Sequence, residues 1–170
     1  MRFMPTLRDA RAGAWEFLAC SVGGSPLLPP IVRRRWLQML GVDIRNARIK
    51  SGVYFGSRRI HIHDGAFINV GVFIDGSGEV TIEENCSIAY NVTFASSGHR
   101  IGPSDRRTGE HEGLPITIGR GTWVGANTVI LGGVSIGNGC VVAAGSVVTR
   151  DCAPNGLYAG APARRLRDLP

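Results

Sequence analysis

The chain is 170 residues long, enough for one domain with a sizeable core and too short for two full-sized ones. At 44% hydrophobic and 19% charged residues it falls outside the disordered class, and no apolar run is long enough to cross a bilayer. The formal charge is +6, but residues 1–50 hold nine of the 19 basic residues and three of the 13 acidic ones; the body is neutral, lacks the basic stripe that phosphate tracking requires, and predicts no nucleic-acid partner.

Residues 6–20 and 30–40 read as helical. Trp15, Leu18 and Ala19 mark one apolar face, and Ile31, Trp36 and Leu40 recur at helical spacing behind Pro29 and Pro30. Arg33-Arg34-Arg35 lies on the second helix, either as a solvated face or as a docking face for an acidic membrane surface or partner. Phe17-Leu18-Ala19-Cys20 has the outline of a lipoprotein cleavage site, but Arg8, Asp9, Arg11 and Glu16 interrupt the apolar region that export requires. The other cysteines, Cys86, Cys140 and Cys152, show no C-x-x-C spacing, so a reduced, cytoplasmic protein without a zinc site or redox pair is expected.

The body is periodic. Ile44, Ile49, Val53 and Ile60 are ragged, as an imperfect first coil would be; then an aliphatic or aromatic residue recurs every six positions at Ile62, Ile68 and Ile74, at Ile82, Ile88 and Phe94, and from Ile118 through Val124, Ile130, Ile136 and Val142 to Val148. Small or β-branched residues stand four positions later, as at Thr122, Thr128, Val134, Cys140 and Ser146. A period of six fits neither a helix nor plain strand alternation. It fits a short strand and a turn forming one side of a triangular coil, three sides per coil, with coils stacked at the strand spacing of about 4.8 Å. The aliphatic fills the interior and the small residue the corner, which makes Cys86 and Cys140 structural. The 24 glycines supply the turns. Three segments follow: a helical one over 1–41, a β-solenoid over 42–154, and a tail over 155–170. Between Phe94 and Ile116 the period lapses into a polar loop, about residues 95–115, carrying His99 and His111.

Thr93-Phe94-Ala95-Ser96-Ser97-Gly98-His99, Pro115-Ile116-Thr117-Ile118-Gly119 leading into Trp123-Val124-Gly125, Gly145-Ser146-Val147-Val148-Thr149-Arg150-Asp151, and Ala159-Gly160-Ala161-Pro162-Ala163-Arg164 stand in order along the chain. In these four motifs the sequence resembles the hexapeptide-repeat acyltransferases, in particular their galactoside and maltose O-acetyltransferase branch. The resemblance implies an all-β solenoid, a left-handed parallel β-helix, assembled as a homotrimer. It implies a CoA-dependent O-acetyltransferase that moves an acetyl group from acetyl-CoA directly to a hydroxyl of a sugar or sugar-containing acceptor. It does not choose the acceptor or exclude a longer acyl group.

The resemblance also implies roles. His99 matches the general base, a residue type suited to removing a hydroxyl proton near neutral pH; His111 lines the acceptor side or is merely exposed. Asn69 matches the acceptor-contacting asparagine, while the acidic residue that relatives carry further on falls on Ser77, leaving Asp75 as the nearest carboxylate. Ala126 and Ala144 match backbone that lies along the pantetheine arm, with the Ala126 N–H placed for the oxyanion. Thr149, Arg150, Arg164 and Arg167 match the region near the nucleotide phosphates. Two other readings compete: a γ-carbonic-anhydrase-like metalloenzyme, which needs three converging histidines that His61, His63, His99 and His111 do not supply by spacing, and a non-catalytic trimeric scaffold.

Overall fold

A computed structural model describes residues 7–170. Helix α1 (Leu7–Trp15) continues directly into a wider π-helical stretch, Glu16–Val22, and helix α2 (Pro30–Met39) follows a turn. The first helical segment therefore runs two residues past the expected Cys20, with a change of pitch at Glu16; residue 6 lies outside the described residues. Trp15 Nε1–H donates to the Phe55 carbonyl and Trp36 Nε1–H to the Leu18 carbonyl, both at 2.8 Å, so each indole ties a helix to its neighbour through its one polar atom. Cys20 packs its Sγ 3.4 Å from the Phe55 nitrogen.

Two readings of α2 are corrected. Ile31, expected on the apolar face, is 61% exposed, and Arg33, expected on a basic surface, is 3% exposed. The face turned to the solenoid carries Arg33 and Leu37, four residues apart. The Arg33 guanidinium donates to the carbonyls of Gly23 (2.8 Å), Ile49 (2.9 Å), Ser25 (2.6 Å) and Leu28 (2.8 Å). Its rigid fork gathers carbonyls from the turn between the helices and from the first coil, which a hydrocarbon side chain at this position could not do.

From Asp43 the chain winds as the expected left-handed parallel β-helix. Asp43–Ile44, Arg48–Ile49 and Tyr54–Phe55 make the first coil; Ile60–Ile62, Phe67–Ile68 and Phe73–Ile74 the second; and Val80–Ile82, Ser87–Ile88 and Thr93–Ala95 the third. Ile116–Ile118, Trp123–Val124 and Val129–Leu131 make the fourth coil, and Ser135–Ile136, Val141–Val142 and Val147–Val148 the fifth. Equivalent sides stack into three parallel sheets, called first, second and third in the order in which each coil visits them. Gly156–Gly160 then extends the second sheet, and Ala163–Asp168 returns antiparallel along it.

All twelve periodic residues from Ile62 to Val148 are buried, and so are the small residues Thr122, Thr128, Val134, Cys140 and Ser146. The corner hydroxyls satisfy corner carbonyls: Thr122 Oγ1 donates to Gly137 (2.8 Å), Thr128 Oγ1 to Gly125 (2.8 Å) and Ser146 Oγ to Ala143 (2.7 Å). Cys86 and Cys140 occupy the same kind of position. The first coil differs from the reading of its sequence: its interior residues are Ile44, Ile49 and Phe55, aligned with Ile62, Ile68 and Ile74, whereas Val53 is a corner residue and Ile60 opens the second coil. Corners turn through left-handed backbone. Gly65 has φ 72°, and a Cβ there would lie 2.1 Å from Oδ1 of Asn85, the corner residue of the coil above with φ 57°.

Candidate active site

The polar loop is a two-stranded antiparallel hairpin, Ser97–Ile101 with Thr108–Gly113, projecting from the corner between the third and first sheets. Neither of its faces is buried, so no apolar alternation could announce it in the sequence; Ile101 is 85% exposed. His99 and His111 stand directly opposite each other, with ring centroids 5.4 Å apart and planes at 76°. His99 Nδ1 lies 3.1 Å from the Gly109 carbonyl oxygen. A carbonyl can only accept, so this bond puts the proton of the neutral imidazole on Nδ1 and leaves the lone pair on Nε2.

The hairpin root is fastened through Ser96. This residue is fully buried, accepts from the Gly78 N–H at 3.1 Å and donates to Asp75 Oδ2 at 3.1 Å, while Ser77 donates to Asp75 Oδ1 at 2.9 Å. A Cβ on Gly78 would sit 2.2 Å from the Leu114 carbonyl oxygen, so only glycine lets the returning end of the hairpin pass this close to the coil beneath it. Asp75 thus lies directly beneath the hairpin with both oxygens engaged by hydroxyls. Ser96 was not singled out in the sequence, although its place three residues before His99 is the available signal.

The remaining candidates divide between two corners. Thr149 and Arg150 follow the last strand of the third sheet and share the hairpin's corner with Asp75. Asn69, Ala126 and Ala144 follow strands of the second sheet and share the corner between the second and third sheets. The Asn69 Oδ1 accepts from the Val70 N–H at 2.9 Å. Ala126 accepts at its carbonyl from Gly145 N–H at 2.8 Å, and its own N–H makes no hydrogen bond among the described residues. Six residues separate Asn69 from Asp75, so one side of the triangle, at most about 20 Å, lies between the two corners.

At the C-terminus, neighbouring arginines behave differently. Arg165 donates to Asp168 Oδ1 (2.9 Å), Tyr158 Oη (2.9 Å) and the carbonyls of Ala153 (3.0 Å), Pro154 (3.1 Å) and Asn155 (3.2 Å), closing the top of the solenoid. Arg164 and Arg167 are exposed, and among the described residues the one hydrogen bond from the Arg164 side chain is to the carbonyl of Ala163 beside it. Arg165 escaped the sequence reading, because nothing in Arg164-Arg165-Leu166-Arg167 marks which arginine hydrogen-bonds to the solenoid cap.

Burial pushes the Cys86 and Cys152 thiols up to about 11 and raises that of Cys20 as well, so these thiols stay protonated. His61 Nδ1 lies 3.0 Å from Asp43 Oδ2 and His63 Nδ1 3.7 Å from Glu84 Oε1. Among the described residues no three His, Cys, Asp or Glu side chains converge as a metal-ligand set.

The family described as bacterial transferase hexapeptide (six repeats) matches residues 115–150. Galactoside O-acetyltransferase of Escherichia coli (strain K12) is 41% identical over 133 residues, which cover 78% of this chain and 66% of the relative. The solved structure of a galactoside acetyltransferase in complex with coenzyme A is 31% identical, with a TM-score of 0.84 over 99% of this chain and 86% of the other. A hexapeptide-repeat acetyltransferase of Vibrio cholerae O1 biovar eltor, complexed with acetyl-coenzyme A, is 30% identical with a TM-score of 0.84 over 99% and 93%. Across three of the curated relatives it matches, the chain spans 53% to 68% of their length.

Proposed function

Since this chain belongs to the hexapeptide-repeat acetyltransferases of the galactoside O-acetyltransferase type, we propose that it transfers an acetyl group from acetyl-CoA to a hydroxyl of a sugar or sugar-containing acceptor, with His99 as general base. The observation that carries this reading is the bond between His99 Nδ1 and the Gly109 carbonyl, which leaves Nε2 unprotonated on an exposed hairpin. Nε2 takes the acceptor's hydroxyl proton as that oxygen bonds to the thioester carbonyl carbon. The carbonyl oxygen becomes the oxyanion, for which the Ala126 N–H is the donor. Collapse re-forms the carbonyl and breaks the carbon–sulfur bond; the proton held on His99 goes to the departing CoA sulfur. No protein nucleophile enters, in keeping with buried, protonated cysteines.

The sites are shared between subunits of a homotrimer. His99 and Thr149–Arg150 leave one corner, Asn69, Ala126 and Ala144 leave another, and the hairpin carries its exposed Ile101 away from its own coil. The outward residues around the second corner include exposed Val70, Tyr90 and Trp123, an apolar surface that a neighbouring subunit would cover. Asn69 orients the acceptor, with Asp75 beneath the base at the hairpin's own corner. The methyl-only corner at Ala126 and Ala144 admits the pantetheine arm, and Arg150, Arg164 and Arg167 bind the phosphates. An acceptor screen with acetyl-CoA that reads out free thiol tests the reaction, and light scattering tests the assembly. Thiol release with no saccharide in a broad panel, or a fully active monomer, overturns the corresponding part.

A further inference from the structure

We propose that the acceptor is an anionic saccharide, and that Arg34 and Arg48 hold its charged substituent in a cavity at the base of the solenoid. This rests on the sugar-acceptor reading above and narrows it.

The cavity has a volume of about 550 Å³, within the range of about 300–1,000 Å³ typical of small-molecule sites. Its walls are mainly apolar, with Pro30 and Ile31 from α2 on one side and Ala66 and Phe67 from the second coil on the other; Arg34 and Arg48 provide its cationic groups. The Arg34 side chain reaches a neutral acceptor, Asn46 Oδ1, at 2.5 Å, and its Nε is buried with no hydrogen-bond partner. Arg48 lies over the Phe67 ring, 6.0 Å from its centroid. Asp64, the carboxylate of this corner, accepts instead from the Asn46 backbone N–H at 2.9 Å, and among the described residues neither arginine forms an ion pair. Two guanidinium groups beside apolar walls, with no carboxylate paired to either, leave a positive potential suited to an oxygen-rich anion. The first turn of α2, Pro29 to Ile31, lines the same cavity and turns the positive end of the helix dipole toward it.

The cavity lies next to the proposed acceptor contact. Phe67 lines it, and Asn69 stands two residues further on, just past the end of the Phe67–Ile68 strand and about 6.6 Å along the chain. An aromatic wall next to an amide suits the apolar face and hydroxyl edge of a pyranose. A carboxylate or phosphate on that sugar, or on the residue linked to it, then reaches the arginines. The shared chemistry is a saccharide bearing an oxyanion; a uronate and a sugar phosphate are its two sources.

The test measures wild type with matched pairs, methyl galactoside against methyl galacturonoside and against galactose 6-phosphate, by thiol release and, independently, by calorimetric binding without acetyl-CoA. One or both anionic members should exceed the neutral sugar in kcat/KM and in affinity by about tenfold to a hundredfold, the size of one or two charge-assisted contacts. In Arg34→Gln with Arg48→Gln that preference should collapse to within about twofold of unity, while Arg48→Lys, which keeps the charge, retains part of it. Far-UV circular dichroism and light scattering establish that the variants remain folded and assembled. Transfer to neutral and anionic sugars at equal efficiency, or a preference that survives loss of both arginines, overturns the proposal and leaves acetyl transfer standing. Anionic preference in binding with no acetyl transfer to any sugar keeps this site and overturns the proposed reaction instead.

Discussion

Replacing His99 by alanine removes the proposed general base from the hairpin. Because Nδ1 is occupied by the Gly109 carbonyl at 3.1 Å, the catalytic capacity of the ring resides in Nε2, and Ala deletes it together with the anchor. Positioned general bases contribute about 10²- to 10⁴-fold, so kcat should fall by that factor, equivalent to about 2.7–5.5 kcal/mol of transition-state stabilisation. His99→Asn separates the two losses. Its amide N–H can still reach the Gly109 carbonyl and hold the hairpin, but it offers no base at the Nε2 position. If basicity is what counts, Asn and Ala fall equally; if His99 mainly braces the hairpin, Asn should retain most activity. The assay is steady-state thiol release at saturating acceptor, with acetyl-CoA affinity measured by calorimetry and expected to change less than about threefold. Turnover within tenfold of wild type in His99→Ala refutes the assignment.

The two neighbouring arginines of the tail should respond in opposite ways. Arg164→Ala should raise the KM for acetyl-CoA about ten- to a hundredfold, with no change for a donor truncated to acetyl-pantetheine, whereas Arg165→Ala, which strips five hydrogen bonds from the solenoid cap, should chiefly lower thermal stability. Equal impairment of Arg164→Ala with both donors would place that residue in folding instead. Ser96→Ala leaves the buried Gly78 N–H without an acceptor and Asp75 short of one donor, so urea denaturation should show a loss of about 2–4 kcal/mol; a change below about 0.5 kcal/mol contradicts the hairpin-root account.

How much of this was legible in the sequence depends on whether a residue's role repeats. The interior aliphatics from Ile62 to Val148 and the corner cysteines Cys86 and Cys140 could be read because each coil presents the same problem, and the same residue types solve it six positions later. Phe55 was missed because the first coil departs from the period of six on either side of it, with five residues from Ile44 to Ile49 and seven from Phe55 to Ile62. Arg33 and Arg165 were missed for a related reason: each is held by carbonyls distant in the sequence, and an arginine satisfied in this way looks no different in the sequence from a solvated one. His99 stood out through its motif. The carbonyl that fixes its tautomer, Gly109, belongs to the opposite strand of a hairpin whose pairing had no apolar pattern to reveal it.

The separation of candidate residues between two corners makes a sharper prediction about assembly. Suppose each site takes its base from one subunit's hairpin and its Ala126–Ala144 corner from a neighbour. Then two inactive homotrimers, His99→Ala and Ala144→Trp, carry complementary defects, since the first has intact corners and the second intact hairpins. Ala144 is exposed in the chain, so tryptophan there should obstruct the pantetheine path without disturbing the buried coil. Unfolded together and refolded as an equal mixture, the subunits assort at random. About half of the hairpins and half of the corners are then intact, and independent pairing gives about one site in four with both. Refolded mixtures should therefore recover about a quarter of wild-type activity, whereas the two variants refolded separately and then combined should recover none. A site contained within one chain predicts no recovery in either case, because every chain carries one defect. Absence of recovery, with light scattering showing that mixed trimers had formed, would refute the shared site.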